Sequence, residues 1–142
     1  MPIAIGQGVT LRGFTNEDHQ FTWYLSGTAG VSPLTLVTKS GALPAMMIDS
    51  TADATAKVAT DGAVILGALE TFENRVQEGV IVGTLKHKAN LVFEYTGTAP
   101  TRGHGVVGSA TPGKVKTAAA AVVGNIVVEV DTVNLTVTVM FG

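Results

Sequence analysis

Two runs near the C-terminus, Asn125-Ile-Val-Val-Glu-Val-Asp131 and Leu135-Thr-Val-Thr-Val-Met-Phe141, constrain the fold of this chain most. Val and Thr branch at Cβ and are stiff about χ1, so they suit a pleated strand better than a helix. Side chains alternate across a strand. Leu135, Val137, Val139 and Phe141 therefore share one face, with Thr136, Thr138 and Met140 opposite. In the partner run Ile126, Val128 and Val130 stand against Val127 and Glu129. The pair predicts a β-hairpin.

From Val31 onward the chain repeats this grammar of short apolar runs between turn residues. Leu34–Thr38 reads as a strand, and Pro44–Ile48 as a short apolar run. Asp61-Gly62 between Lys57–Thr60 and Ala63–Leu66 carries the Asp-Gly signature of a tight turn between strands. Gly79–Leu85 and Asn90–Tyr95 flank a polar tip, Lys86-His87-Lys88, and Leu91, Phe93 and Tyr95 point one way. Ala68–Glu78 fits two descriptions. Leu69, Phe72 and Val76 fall at helical spacing, yet the same letters fit a strand entering a charged loop. Together these elements predict an all-β domain over residues 31–142, a small barrel or sandwich with at most one short helix.

Residues 1–30 differ in composition, with Phe14, Phe21, Trp23 and Tyr24 set among glycines. Val9–Arg12 and Gln20–Leu25 alternate like strands, placing Phe21, Trp23 and Leu25 on one side. Two readings stand side by side: a first hairpin of the domain, or an extended N-terminal arm that leaves it and lies on a partner. Ser26-Gly-Thr-Ala-Gly30 has the composition of a flexible joint.

The totals narrow the function classes. At 142 residues there is room for one domain with a proper core. A net charge of −2 argues against nucleic-acid binding, which needs a concentrated Lys/Arg field. Charged residues are only 14% of the chain, a composition that favours surface placed against another protein. With no cysteine there is neither a disulfide framework nor a thiolate metal site. The first residues lack the basic start and apolar core of a signal peptide, and no run approaches the ~18 apolar residues of a membrane helix. A soluble protein made in a cytosol is expected.

Two stretches near the hairpin imitate nucleotide loops. Gly103-His-Gly-Val-Val-Gly108 matches G-x-G-x-x-G, and Gly108-Ser-Ala-Thr-Pro-Gly-Lys114 matches G-x-x-x-x-G-K. Such loops work by joining a strand to a helix whose amides meet a phosphate. Ser109–Gly113 cannot open an ordinary helix, and Val115 stands where Ser or Thr would hold magnesium. The plainer expectation is a Pro112-Gly113 reverse turn followed by Lys114–Thr117 as a short edge strand with its lysines outward. His19, His87 and His104 are scattered without metal-ligand spacing and read as solvated loop residues. Glu17-Asp18-His19 lacks an accompanying nucleophile, and Asn134-Leu-Thr136 is a sequon only formally. No catalytic, cofactor-binding or metal constellation is predicted, and hence no enzyme.

The succession Gly62–Gly67, Gly79–Thr84, Leu91–Tyr95, Gly105–Gly108, Pro112–Lys116, Gly124–Val128 and Thr136–Phe141 resembles the small decoration, or cement, proteins of tailed double-stranded-DNA bacteriophage capsids. The resemblance covers roughly Val31–Gly142 and lies in pattern and element order. It implies a β-barrel or β-tulip domain bound to the outer surface of the mature phage head. Such proteins sit as homotrimers, and an N-terminal arm adds a strand to the major capsid protein. On that reading Val9, Leu11, Phe14, Phe21, Trp23 and Tyr24 are candidate partner contacts, with no cofactor, nucleic acid or membrane involved. The protein would be made in the host cytoplasm and end on the virion. The alternative is a small receptor- or carbohydrate-binding barrel of a phage fibre or tail, for which clustered aromatics would also serve.

Overall fold

A computed structural model of the chain describes residues 20–26, 36, 38–39, 41–75, 77 and 80–142. They form an all-β structure whose strands are β1 (Gln20–Leu25), β2 (Ala45–Ile48), β3 (Thr55–Val58), β4 (Gly67–Arg75), β5 (Val80–Lys86), β6 (Asn90–Glu94), β7 (Val106–Gly108), β8 (Val115–Thr117), β9 (Asn125–Asp131) and β10 (Thr136–Phe141). The candidate contacts Val9, Leu11 and Phe14, and the predicted strand Val9–Arg12, lie outside the described residues.

Five strands close a barrel in the order β1-β3-β2-β4-β5, with β5 returning to β1. All its pairings are antiparallel except β1 with β3, where Tyr24 meets Thr55 and Leu25 meets Ala56 in parallel. Closure leaves the barrel without a free edge. Leu25, Met46, Ala56, Val58, Leu69 and Leu85 fill its interior. Gly83 belongs to this packing, because a Cβ there would come within 2.7 Å of Leu25 and 3.0 Å of Leu69.

A three-stranded sheet, β9-β10-β6, and the two-stranded ribbon β7-β8 build a second core. Leu91, Phe93, Val127, Val137 and Val139 from the sheet meet Val106 and Val115 from the ribbon. They also meet Ala45 and Ala68, which pair across β2 and β4. These two strands thus form a shared wall. Met46 and Leu69 face the barrel interior, while the neighbouring alanines, small enough for close approach, face the second core.

Several expectations are revised. Of the two descriptions open for Ala68–Glu78, the strand holds over Gly67–Arg75: β4 is long, with a bulge between Leu69 and Thr71. Its cross-strand bonds to β5 outweigh the weak helical spacing. Asp61-Gly62 does turn the chain, with Gly62 at φ 77° and Ala63 N–H donating to Thr60 O, but no hairpin follows. Ala63–Leu66 bonds instead to β7 and β2, through Gly108 N–H to Ala63 O and Leu66 N–H to Met46 O. Lys86–Lys88 is likewise not a hairpin tip, because β5 belongs to the barrel and β6 to the other sheet. Most of the predicted strand Leu34–Thr38 lies outside the described residues.

Candidate partner-contact surface

Alternation along β1 places its side chains in two environments. Leu25 is buried in the barrel and Trp23 packs partly buried against that core. Phe21 is 57% exposed, with its ring 5.3 Å from that of His87. Tyr24, on the outer face, is 54% exposed. The structure thus brings Phe21, Trp23 and Tyr24 together on one barrel strand while giving each a different degree of access.

The outer wall next to Tyr24 is hydroxyl-rich. Thr22 pairs with Thr84, which pairs in turn with Thr71, so three threonines cross three strands in a row. They line a shallow groove of about 370 Å³ that also includes Glu73 and the 46% exposed Phe72. Lys86 and Glu70 make an ion pair of 3.5 Å on the same wall. At this exposure such a pair adds little to stability.

The clamps on β1 are the part that sequence reasoning missed. At its end, Ser26 Oγ donates to Asp49 Oδ2 at 2.6 Å, and Thr51 donates to Asp49 Oδ1 through both its hydroxyl, at 2.6 Å, and its N–H, at 3.0 Å. These donors, led by the Ser26 hydroxyl, stabilise the charged carboxylate and bring its pKa down to about 2. Toward its start, the Trp23 indole N–H donates to His87 Nε2 at 3.1 Å. His87 is accordingly no solvated loop residue. The signal was invisible locally, since the two partners are 64 positions apart.

A second exposed apolar area covers the outer face of the β9-β10 hairpin. Ile126, paired with Met140, and Val128 are 39%, 44% and 40% exposed. Of the two faces read from the sequence for β9, the one carrying Val127 is buried and the Ile126/Val128 face looks outward. A bulge between Val127 and Glu129 then returns Val130 to the core side.

The nucleotide-like stretches have other employment. Gly108 to Val115 is the connection of the antiparallel β7-β8 ribbon. Its amides are used internally: Ser109 N–H donates to Lys114 O, Thr111 N–H to Ser109 Oγ and Lys114 N–H to Thr111 O. Lys114 is not an outward edge lysine, because its ammonium meets the nearly buried Glu94 at 3.2 Å. Lys116 pairs with Asp61 at 2.7 Å. Val115–Thr117 is the short outer strand of this two-stranded ribbon, touched on its other side by a single bridge in which Thr96 N–H donates to Val115 O. The glycines of the first stretch answer to geometry as well. Gly103 takes φ 88°, and a Cβ on Gly108 would collide with the Thr60 carbonyl. Among the described residues no group of three or more His, Asp or Glu side chains is placed to hold a metal ion.

Comparison with protein-family models, with curated proteins and with solved structures returns no match for this chain.

Proposed function

We propose that this protein decorates the outside of a mature tailed-phage head and stabilises the shell, as homotrimers, with residues before Gln20 pairing with the major capsid protein. The observation that carries this reading is β1. It holds Phe21 and Tyr24 more than half exposed on a strand otherwise locked into a closed barrel. It also directly follows the segment containing Val9, Leu11 and Phe14. Aromatic anchors dominate interface energetics. A closed barrel offers no edge for strand addition, so main-chain pairing with a partner falls to chain outside it. On a lattice, many modest contacts sum, and a ligand of only the mature shell stabilises that shell by mass action.

Mixing the protein with expanded and with immature shells, followed by sedimentation and electron microscopy, tests the reading. Saturable binding to expanded shells alone is expected. Binding to neither shell overturns it. The threonine row and Phe72 beside Tyr24 favour the second reading, a receptor- or carbohydrate-binding module of a fibre or tail. Glycan-array binding abolished by Tyr24→Ala, without shell binding, would establish that one instead.

A further inference from the structure

The contact between Trp23 and His87 admits only one protonation state. A neutral imidazole carries one N–H and one lone pair, and an indole nitrogen only donates. Because Nε2 accepts from the Trp23 indole at 3.1 Å, the ring hydrogen belongs on Nδ1. There it points at the Leu66 carbonyl oxygen, 3.2 Å away. Both ring nitrogens are thereby committed, and the Phe21 and Trp23 rings lie 5.3 and 5.8 Å from the imidazole. A second proton would place an N–H on Nε2 facing the indole N–H, donor against donor.

Among the described residues the segment and strands next to the ring carry few other charges. On its own segment are Lys86 and Lys88. On β4 is Glu70, which pairs with Lys86, while Glu73 lies further along in register with Val82. Neither β1 nor residues 63–66 carry a charged side chain, and Tyr24 lies on the opposite face of β1.

We infer that His87 is a proton-operated latch on the Trp23 indole: the neutral ring accepts the indole N–H, and protonation breaks that bond while the backbone ladder to β5 keeps β1 in the barrel wall. Histidine is the side chain whose charge ordinarily changes between about pH 5 and 8. The opposite end of β1 does not respond in that range, because the Asp49 carboxylate stays ionised down to about pH 2. Acidification therefore frees the Trp23 indole and leaves the Ser26–Asp49 clamp at the other end of the strand in place. The latch operates in the isolated chain, independent of any shell.

Trp23 is the single tryptophan, so its fluorescence reports this site alone. Between pH 8 and 5 the intact protein should show one step in emission. The protection factor of the indole N–H should fall roughly threefold to tenfold, as expected for loss of one hydrogen bond. In His87→Gln, whose amide oxygen accepts the same bond without titrating, both readouts should stay flat. His19→Gln and His104→Gln should keep the step. The nitrogen-15 spectrum of the unmodified protein at pH 8 should show His87 protonated on Nδ1 and bare on Nε2. The opposite tautomer, or indole protection that is equal at pH 8 and 5, overturns the latch. So does a step that survives in His87→Gln; if that variant does not fold, the tautomer and the protection factors decide.

Discussion

Asp49 ties the end of β1 to the turn after β2, and its three donors make it a residue whose charge the fold requires. Its folded pKa of about 2 lies below the ordinary value of 3.8. Its contribution to stability is therefore complete above about pH 4 and is lost as the pH falls through about 2. Thermal melts between pH 7 and 2 should show a decline in Tm below pH 4, and Asp49→Asn should lower Tm at pH 7 while flattening that decline. Asn125 is a second such residue. Its side-chain oxygen accepts from Val106 N–H at 3.2 Å and its amide donates to Val106 O at 2.8 Å, all buried. Asn125→Ala orphans both backbone groups and should cost roughly 1–3 kcal/mol in urea unfolding. At this scale the sequence was least legible. His87 between two lysines looks solvated, and Lys114 after Pro-Gly looks free. Trp23 and Glu94, which engage them, are brought near only by the completed sheets.

At the scale of elements, more could be read. Asn125–Asp131 and Thr136–Phe141 were visible as strands because Val and Thr recur with period two, and Val137 and Val139 do fill the core. Leu91, Phe93 and Tyr95 were legible for the same reason. What alternation cannot reveal is which face an element turns inward once a bulge resets the phase, as in β4 and β9. Nor does it reveal that β5 and β6, consecutive and separated by a short polar segment, part into different sheets. Phe93, edge-on to Phe141 at 6.0 Å, is the largest fully buried side chain in the second core. Phe93→Ala should cost about 3–5 kcal/mol by denaturant titration. Gly108→Ala should cost about 1–3 kcal/mol, since the backbone must shift away from Thr60.

Over the whole molecule, the Ala45–Ala68 wall makes the two cores mutually dependent. Neither can lose its packing without exposing a face of the other, so unfolding should be a single transition. Trp23 fluorescence, reporting the barrel, and far-UV circular dichroism, reporting all sheets, should give coincident urea curves. Met46→Ala in one core and Phe93→Ala in the other should lower the same midpoint. Removing residues 1–19 should leave that midpoint nearly unchanged and abolish shell binding under the proposed function. Removing residues 1–30 deletes β1 and should prevent folding.

Barrel closure by β1 also sets an order of events for a chain emerging from the ribosome. Of the described strands it is made first, yet its long partner ends at Lys86, and its short parallel neighbour, β3, begins at Thr55. Until synthesis passes that point, Gln20–Leu25 lacks β5, its antiparallel partner in the barrel, and non-local pairing of this kind is slow to form. The nascent protein thus has an early interval in which Phe21, Trp23 and Tyr24 are open to chaperones or to other chains.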